Sequence, residues 1–220
     1  MSRHPVAYKL DCDFTGQVGT SCELHMNPWS GWGNIRWSGT APMTLPNPVV
    51  YRVRSRKVHS TTDYPSTFGL EAVFTRRMLD ALLSVKPFGY RLYPVELRIG
   101  RSVIQPPSEA LTYWLVQLTE HFHGFDPERS DWEPHERLPW YIDQLYRLEL
   151  NVPPEGLPPI FRLPQQPTTL FVSADGRDAL LDAGIRGVAF ISCLELESQR
   201  MKEARIRDGV YRPPPTTHPS

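Results

Sequence analysis

The amino-acid sequence predicts an α+β fold, with a mixed or antiparallel sheet and a few short helices. Two observations support this prediction. The stretches from Val73 to Leu97 and from Leu170 to Leu196 each have the pattern of a strand, a capped helix, a turn and a second strand. The 23 prolines among the 220 residues are about twice the usual frequency, which favours short elements over long helices.

The two strand–helix–strand units match each other at a constant offset along the chain. The matching positions are Asp80–Leu83 with Asp178–Leu181, Thr75 with Ser173, and Gly89 with Gly187. Two related units of this kind can pack around one shared sheet. The identities are few, so convergence of two similar pieces explains them as well as duplication does.

The first unit has clear signals for the start and the end of its helix. Thr75 is a suitable N-cap, and Met78 and Leu82 recur at the i, i+4 spacing of an apolar helix face. Pro87 stops the helix. Apolar and polar side chains then alternate over residues 90–99, which predicts a strand.

The second unit repeats that order. Ser173 is the predicted N-cap, Leu180 belongs to the apolar helix face, and Gly184 fits the left-handed position that closes a helix. The strand that follows, over residues 187–196, is almost continuously apolar. We therefore expect it to lie in the interior of a sheet.

Composition changes along the chain predict three regions. They are a Trp- and Gly-rich strand-and-loop region at 1–45, an α+β domain at 46–200, and a Pro-rich tail at 201–220. The tail has the composition of a disordered segment.

The charge balance gives no reason to expect binding to nucleic acid or to a membrane. Lys+Arg and Asp+Glu both number 24, so no net field attracts the chain to an anionic surface. No stretch approaches the roughly 18 apolar residues of a membrane span. The N-terminus has no apolar signal core, and the three cysteines are too widely spaced to indicate a disulfide framework. We expect a cytoplasmic protein.

The search for chemistry assigns no catalytic residue, no metal ligand and no cofactor. His121 and His123 form the only metal-like pair, and the HExxH and CxxC patterns that would complete a site are missing. A metal-dependent hydrolase that uses these two histidines remains an alternative. So does a regulatory module in which Trp29, Trp32 and Trp37 line a cup for a small ligand, although core filling beneath loops is the simpler explanation of these residues.

The one marked charge bias lies between Glu120 and Arg147, where seven carboxylates face three arginines among several aromatic residues. An acidic surface with aromatic anchors is typical of binding to a basic protein. An ordinary solvated loop is the alternative. The predicted partner-binding residues are Asp126, Glu128, Asp131, Trp132, Glu133 and Glu136.

Several segments resemble an immunity-protein family of bacterial polymorphic toxin systems, of the myxobacterial type. The segments are "VFTRRMLDALLSV" with "LYPVEL", "YWLVQLTEHFHGFDPERSDW", "IFRL" at 160–163 and "LFVSADGRDALLDAGIRGVAF" at 170–190. The resemblance covers about residues 50–196. The Trp- and Gly-rich N-terminal stretch lacks the paired CxxC motif of a related myxobacterial immunity group. The matching motifs are helix caps, turns and core positions, so the resemblance transfers no catalytic residue.

What the resemblance implies is a cytoplasmic, non-enzymatic protein. Such a protein binds one cognate toxin or effector and neutralises it by stoichiometric occlusion. Occlusion requires a complementary surface and neither turnover nor a cofactor.

Overall fold

The structure is a computed structural model that describes residues 4–13, 23–26, 38–67 and 72–197, with residues 23–26 described by their backbone alone. Thirteen strands and three α-helices are present in these residues. The strands are β1 Ala7–Cys12, β2 Glu23–Met26, β3 Val49–Arg52, β4 Ser66–Thr67, β5 Ala72–Thr75, β6 Tyr90–Ile99, β7 Ser102–Ile104, β8 Tyr113–Leu118, β9 Asp131–His135, β10 Leu138–Arg147, β11 Ile160–Leu163, β12 Gln166–Ser173 and β13 Val188–Ser192. The helices are α1 Val58–Thr61, α2 Arg76–Val85 and α3 Ala174–Asp182, with a 3-10 turn at Glu109–Leu111. The predicted α+β fold is confirmed.

The strands of the described residues form three sheets. The largest has seven strands in the order β4-β2-β3-β6-β8-β5, with β7 paired to β6. A four-stranded sheet has the order β11-β12-β1-β13, and β9 and β10 form a separate two-stranded sheet. The first strand–helix–strand unit, β5-α2-β6, therefore lies in a different sheet from the second, β12-α3-β13. The expectation that both units share one sheet was wrong.

Both units nevertheless have the same topology. In each, the two strands of the unit run antiparallel to a third strand that separates them, which is β8 in the first unit and β1 in the second. Each unit is therefore a split β-α-β motif. The difference is the source of the central strand, because β8 follows its unit in the chain whereas β1 comes from the N-terminal region.

The registers of the two units also agree. The cap residue Thr75 lies opposite Tyr113, the first residue of β8, and the cap residue Ser173 lies opposite Ala7, the first residue of β1. In both units the first helical amide donates to the carbonyl oxygen of the residue just before the central strand, at 2.8 Å in the first and 3.0 Å in the second. The likeness read from the sequence is thus a likeness of backbone architecture.

The predicted helix caps are confirmed. The Met78 amide donates to the Thr75 hydroxyl oxygen at 3.3 Å, and the amide of Gly176 donates to the Ser173 hydroxyl oxygen at 3.0 Å. Such a bond satisfies one of the amides that a helix start leaves without a partner. Gly184 has φ +63°, the left-handed conformation predicted for the end of α3.

A single hydrophobic cluster joins the two units. The helices α2 and α3 pack against each other, and buried residues of both larger sheets meet them. Members of this cluster are Leu10, Phe74, Met78, Leu82, Val116, Val172 and Leu180. Two further clusters lie under β3, β6 and β8 and under β11 and β12. The shared cluster thus joins the two units through one common core.

A buried carboxylate adds a polar link between the units. The Asp63 side chain has no exposed surface. It accepts hydrogen bonds from the Arg77 guanidinium, from the Thr75 hydroxyl at 2.9 Å and from the Arg186 amide at 2.9 Å. Thr75 and Arg77 belong to the first unit, whereas Arg186 follows α3. Burial alone would raise the pKa of Asp63, but these hydrogen bonds outweigh it and hold the pKa below its ordinary value.

Three further expectations from the sequence concern the strand β13, the region boundary near residue 45 and the C-terminal tail. The strand β13 lies at the edge of its sheet among the described residues rather than in the interior, so that prediction was wrong. Its apolar side chains instead border the shared core from the edge, where Val188 and Phe190 pack against it. The region boundary near residue 45 stays a prediction, although β1 is part of the sheet of the second unit. The tail at 201–220 lies outside the described residues.

Candidate functional site

The predicted partner-binding segment folds as a β-hairpin with a preceding turn, which we name the acidic hairpin (residues 126–147). The strands β9 and β10 pair antiparallel, and Glu136 and Arg137 form the two-residue connection between them. The Arg137 amide donates to Nδ1 of His135 at 3.2 Å, which fixes this connection. The hairpin is attached to the four-stranded sheet, since the Ile142 amide donates to the Gln165 carbonyl oxygen at 2.8 Å.

A large bulge interrupts β10 next to the connection. The pairing steps from Leu138 opposite His135 to Ile142 opposite Pro134, so three residues of β10, at 139–141, have no opposite residue. A bulge of this kind bends its strand and turns side chains out of the regular pattern. Trp140, in the middle of the bulge, is 64% exposed and Leu138 is 39% exposed.

Asp126 is committed to the turn that precedes the hairpin. Its carboxylate accepts from the amides of Glu128 and Arg129 at 3.1 and 3.0 Å, and from Nε of Arg129 at 2.6 Å. A second arm of that guanidinium donates to Oδ1 of Asn151 at 3.1 Å. The hydrogen bond from Arg129 holds the pKa of Asp126 below its ordinary value. Only 14% of the Asp126 side chain is exposed, so this residue shapes the turn more than it presents charge.

Trp132 and Glu133 also have internal contacts. The Trp132 ring packs edge-on against Phe125 with 5.4 Å between ring centroids, and its Nε1 donates to the Pro127 carbonyl oxygen at 3.2 Å. The Tyr146 hydroxyl donates to Oε1 of Glu133 at 2.8 Å. These contacts attach the strand β9 to its surroundings.

Glu128 and Glu136 present charge to solvent. Both are exposed, and neither carboxylate forms an ion pair with another residue in the described part of the chain. Asp131 lies opposite Arg147 in the hairpin pairing. The structure thus brings the six predicted residues onto one hairpin and its turn, and divides them into residues that hold the hairpin and residues that face outward.

The six predicted residues omit Leu138 and Trp140, which form the exposed apolar part of this surface. Leu138 and Trp140 are among the few large hydrophobic side chains that are exposed in the described residues, and along the chain they lie between two exposed carboxylates, Glu136 and Asp143. An exposed tryptophan rimmed by charge is typical of an interface anchor. The signal available in the sequence was Pro139, since proline interrupts strand pairing and marks edges or bulges.

The two histidines of the alternative hydrolase site lie just after β8, outside any strand. Both line a cavity of about 200 Å³, together with Glu120. The ring Nε2 of His121 is 2.8 Å from the Ser38 carbonyl oxygen, to which it donates. Within the described residues, no group of three His, Cys, Asp or Glu side chains is arranged to hold a metal ion.

Two other expectations concern the rest of the chain. Trp29, Trp32 and Trp37, which would line a ligand cup, lie outside the described residues. No helix of the described part combines the length and the apolar character needed to cross a membrane.

Comparison with known proteins identifies a family. The model described as "Immunity protein family (Imm11)" matches residues 8–195, which is most of the 220-residue chain. A search of curated proteins found no match. The family match includes both split β-α-β units and the acidic hairpin.

Proposed function

The chain belongs to the immunity protein family Imm11, and from this premise we propose that it binds one cognate bacterial toxin and neutralises it by stoichiometric occlusion. In this proposal the partner is a protein, and the protein acts in the cytoplasm as part of a polymorphic toxin system used in competition between bacteria. No turnover and no cofactor are required, because a bound toxin is inactive for as long as its working surface is covered. Neither nucleic acid nor a membrane takes part in the binding.

The family match is the observation that carries the proposal, and the acidic hairpin supplies the surface. Glu128, Glu136 and Asp143 present charge, and Leu138 and Trp140 add an exposed apolar centre. Aromatic anchors contribute most of the binding energy in many interfaces, while surrounding charges speed the encounter. The hairpin therefore fits a toxin with a basic surface around an apolar pocket.

The first experiment is a pull-down from the native cells with the full-length protein as bait, washed at high salt. We expect one stoichiometric partner, and co-expression should abolish the toxicity of that partner. The proposal would be wrong if the protein came out of the pull-down alone and if its production did not protect cells from any co-expressed toxin candidate.

The second experiment maps the surface once the partner is known. The double variant Glu128→Lys/Glu136→Lys should lower the association rate and weaken its salt dependence, since like charges then meet. Trp140→Ala should mainly raise the dissociation rate. The matched control Glu109→Lys/Asp182→Lys makes the same charge change at exposed positions away from the hairpin, so an equal effect in the control would count against the hairpin as the interface.

A second candidate function, metal-dependent hydrolysis, has one observation in its favour, namely that His121, His123 and Glu120 line the same cavity. Its test is the metal content of the purified protein together with the protective activity of chelator-treated protein. Full protection by metal-free protein would remove this candidate.

A further inference from the structure

The cavity at the end of β8 is lined by aromatic side chains that contact other aromatic rings. We name it the β8 cavity, and residues that line it include Lys86, Phe88, Glu120, His121, His123 and Phe161. The Phe122 ring also lines it and packs edge-on against the buried Phe161, with 5.2 Å between centroids, while Phe88 contacts Tyr90 at 5.4 Å. Rings held by other rings form a rigid aromatic wall, whose negative π-faces attract cations.

One carboxylate of this cavity lacks a counter-charge. Glu120 is exposed and makes no ion pair or hydrogen bond through its side chain with another residue in the described part of the chain. The His121 ring donates through Nε2 to the Ser38 carbonyl oxygen, which leaves its Nδ1 as an acceptor. The His123 imidazole offers one donor and one acceptor nitrogen when neutral, so the groups left over for a cation are the Glu120 carboxylate and Nδ1 of the neutral His121 ring.

The single lysine of the cavity is already occupied. The Lys86 ammonium donates to the carbonyl oxygens of Glu155 and Gly156, at 2.9 and 3.4 Å. Its charge is thus directed at the loop that follows β10. An anion entering the cavity would have to compete with these two carbonyl groups, whereas a cation would find Glu120 without a partner.

The size of the cavity limits what it can hold. About 200 Å³ is less than the roughly 300–1,000 Å³ of pockets for drug-sized ligands, but it accommodates one long side chain. A metal ion is disfavoured by the Ser38 contact of His121 and by the arrangement of the described residues, which offers no group of three ligands.

The β8 cavity lies close to the acidic hairpin. Only two residues lie between His123, on the cavity, and Asp126, in the turn of the acidic hairpin, so their Cα atoms are at most about 11 Å apart. A standard interface buries about 800 Å² on each partner, a patch wide enough to include both. We infer that the β8 cavity receives one arginine or lysine side chain of the toxin, held between the aromatic wall and the Glu120 carboxylate. This inference rests on the proposed function for the source of the side chain.

The test uses the full chain and small probes, and needs no toxin. N-acetyl-arginine amide is titrated while the imidazole signals of His121 and His123 are followed by NMR. We expect saturable shifts of both histidines, and an affinity that falls about threefold or more in Glu120→Gln, as for an exposed charge pair. The control Glu109→Gln, an exposed carboxylate of the 3-10 turn outside the cavity, should leave the affinity unchanged.

Other probes define the results that would overturn the inference. Equal binding of the uncharged N-acetyl-norleucine amide would show apolar packing alone. Binding of N-acetyl-glutamate amide instead, stoichiometric binding of Zn²⁺ to the two histidines, or no shift with the arginine probe would each refute a site for a basic side chain. Because the probe experiment does not involve the toxin, a failed cavity leaves the proposed function standing, and a failed pull-down leaves the probe result intact.

Discussion

The two split β-α-β units share a backbone plan but pack their helices differently. In the first unit, α2 buries the large side chains of Met78, Leu79 and Leu82. In the second, α3 buries Gly176 and Leu180. The topology, the cap position and the first helical hydrogen bond are repeated, whereas the residues that fill the core are not. Backbone geometry is therefore the common feature of the two units, and each unit satisfies it with its own side chains.

The difference at Gly176 has a direct cause. A Cβ at this position would lie 2.3 Å from the Pro159 carbonyl oxygen. The helix α3 therefore approaches the segment before β11 more closely than any residue larger than glycine would permit. The first unit has side chains at its helix face where the second has a close backbone contact. This explains why α2 shows the stronger apolar pattern in the sequence.

The units also differ in how they are completed. The central strand β8 follows the first unit within the same part of the chain, but β1 reaches the second unit from the N-terminal end. Contacts between distant parts of a chain form late, because closing a long loop costs more entropy. The second unit thus depends on the whole chain, and Asp63 links it to the first.

The largest expected effect comes from breaking that link. Replacing Asp63 with alanine leaves the buried Thr75 hydroxyl and the guanidinium groups of Arg77 and Arg186 without their carboxylate. Removing one partner from a buried charge pair costs about 3–5 kcal/mol. Because the two arginine side chains are 33% and 39% exposed, we place the loss at the lower end of this range, about 3 kcal/mol. We expect urea unfolding to show a loss of that size. Asp80→Ala is the matched control, since Asp80 forms an exposed pair with Arg76 of a kind worth about 0.5 kcal/mol. A loss below 1 kcal/mol in Asp63→Ala would show that the two units are not joined through this residue.

A matched pair of leucines tests whether the units unfold together. Leu82 on α2 and Leu180 on α3 are both fully buried in the shared cluster. Each substitution by alanine should cost about 2–5 kcal/mol, and both should shift one common transition seen by circular dichroism and by tryptophan fluorescence. Leu181→Ala is the control, because that side chain is 52% exposed. Two separate transitions would contradict a single core.

Acid should weaken the link in a predictable direction. The pKa of Asp63 is lower in the folded protein than its ordinary value, so its stabilising effect is fully present above the ordinary carboxyl pKa and is lost as the pH falls through the folded pKa. We expect the free energy of unfolding to fall more steeply below about pH 4 in the natural protein than in Asp63→Asn. If the free energy of unfolding changed with pH in the same way in both proteins, protonation of Asp63 would not account for the loss of stability in acid.

The features of the two units that could be predicted from the sequence are those that depend on neighbouring residues in the chain. The caps at Thr75 and Ser173 and the turn at Gly184 depend on nearby residues, so short-range patterns identify them. The position of β1 between β12 and β13 and the partners of Asp63 depend on contacts between distant segments, which no local pattern encodes.

The same distinction holds for the candidate site. Charge composition found the acidic segment, but only the structure shows that Asp126 is used internally and that the bulge exposes Trp140. Whether a carboxylate faces solvent or holds a turn depends on its partners in space. Composition therefore locates the candidate surface without saying which of its residues a partner would touch.

The smallest expected effects come from the two caps, and they separate the units most sharply. Ser173→Ala should cost about 1 kcal/mol, the usual value for a lost N-cap. Thr75→Ala should cost more, because the Thr75 hydroxyl both caps α2 and donates to Asp63. In double-mutant cycles with Asp63→Asn, we expect coupling of about 0.5 kcal/mol or more for Thr75, and none for Ser173. Equal coupling would mean that Asp63 supports both helices alike, and the asymmetry between the units would then lie in their central strands alone.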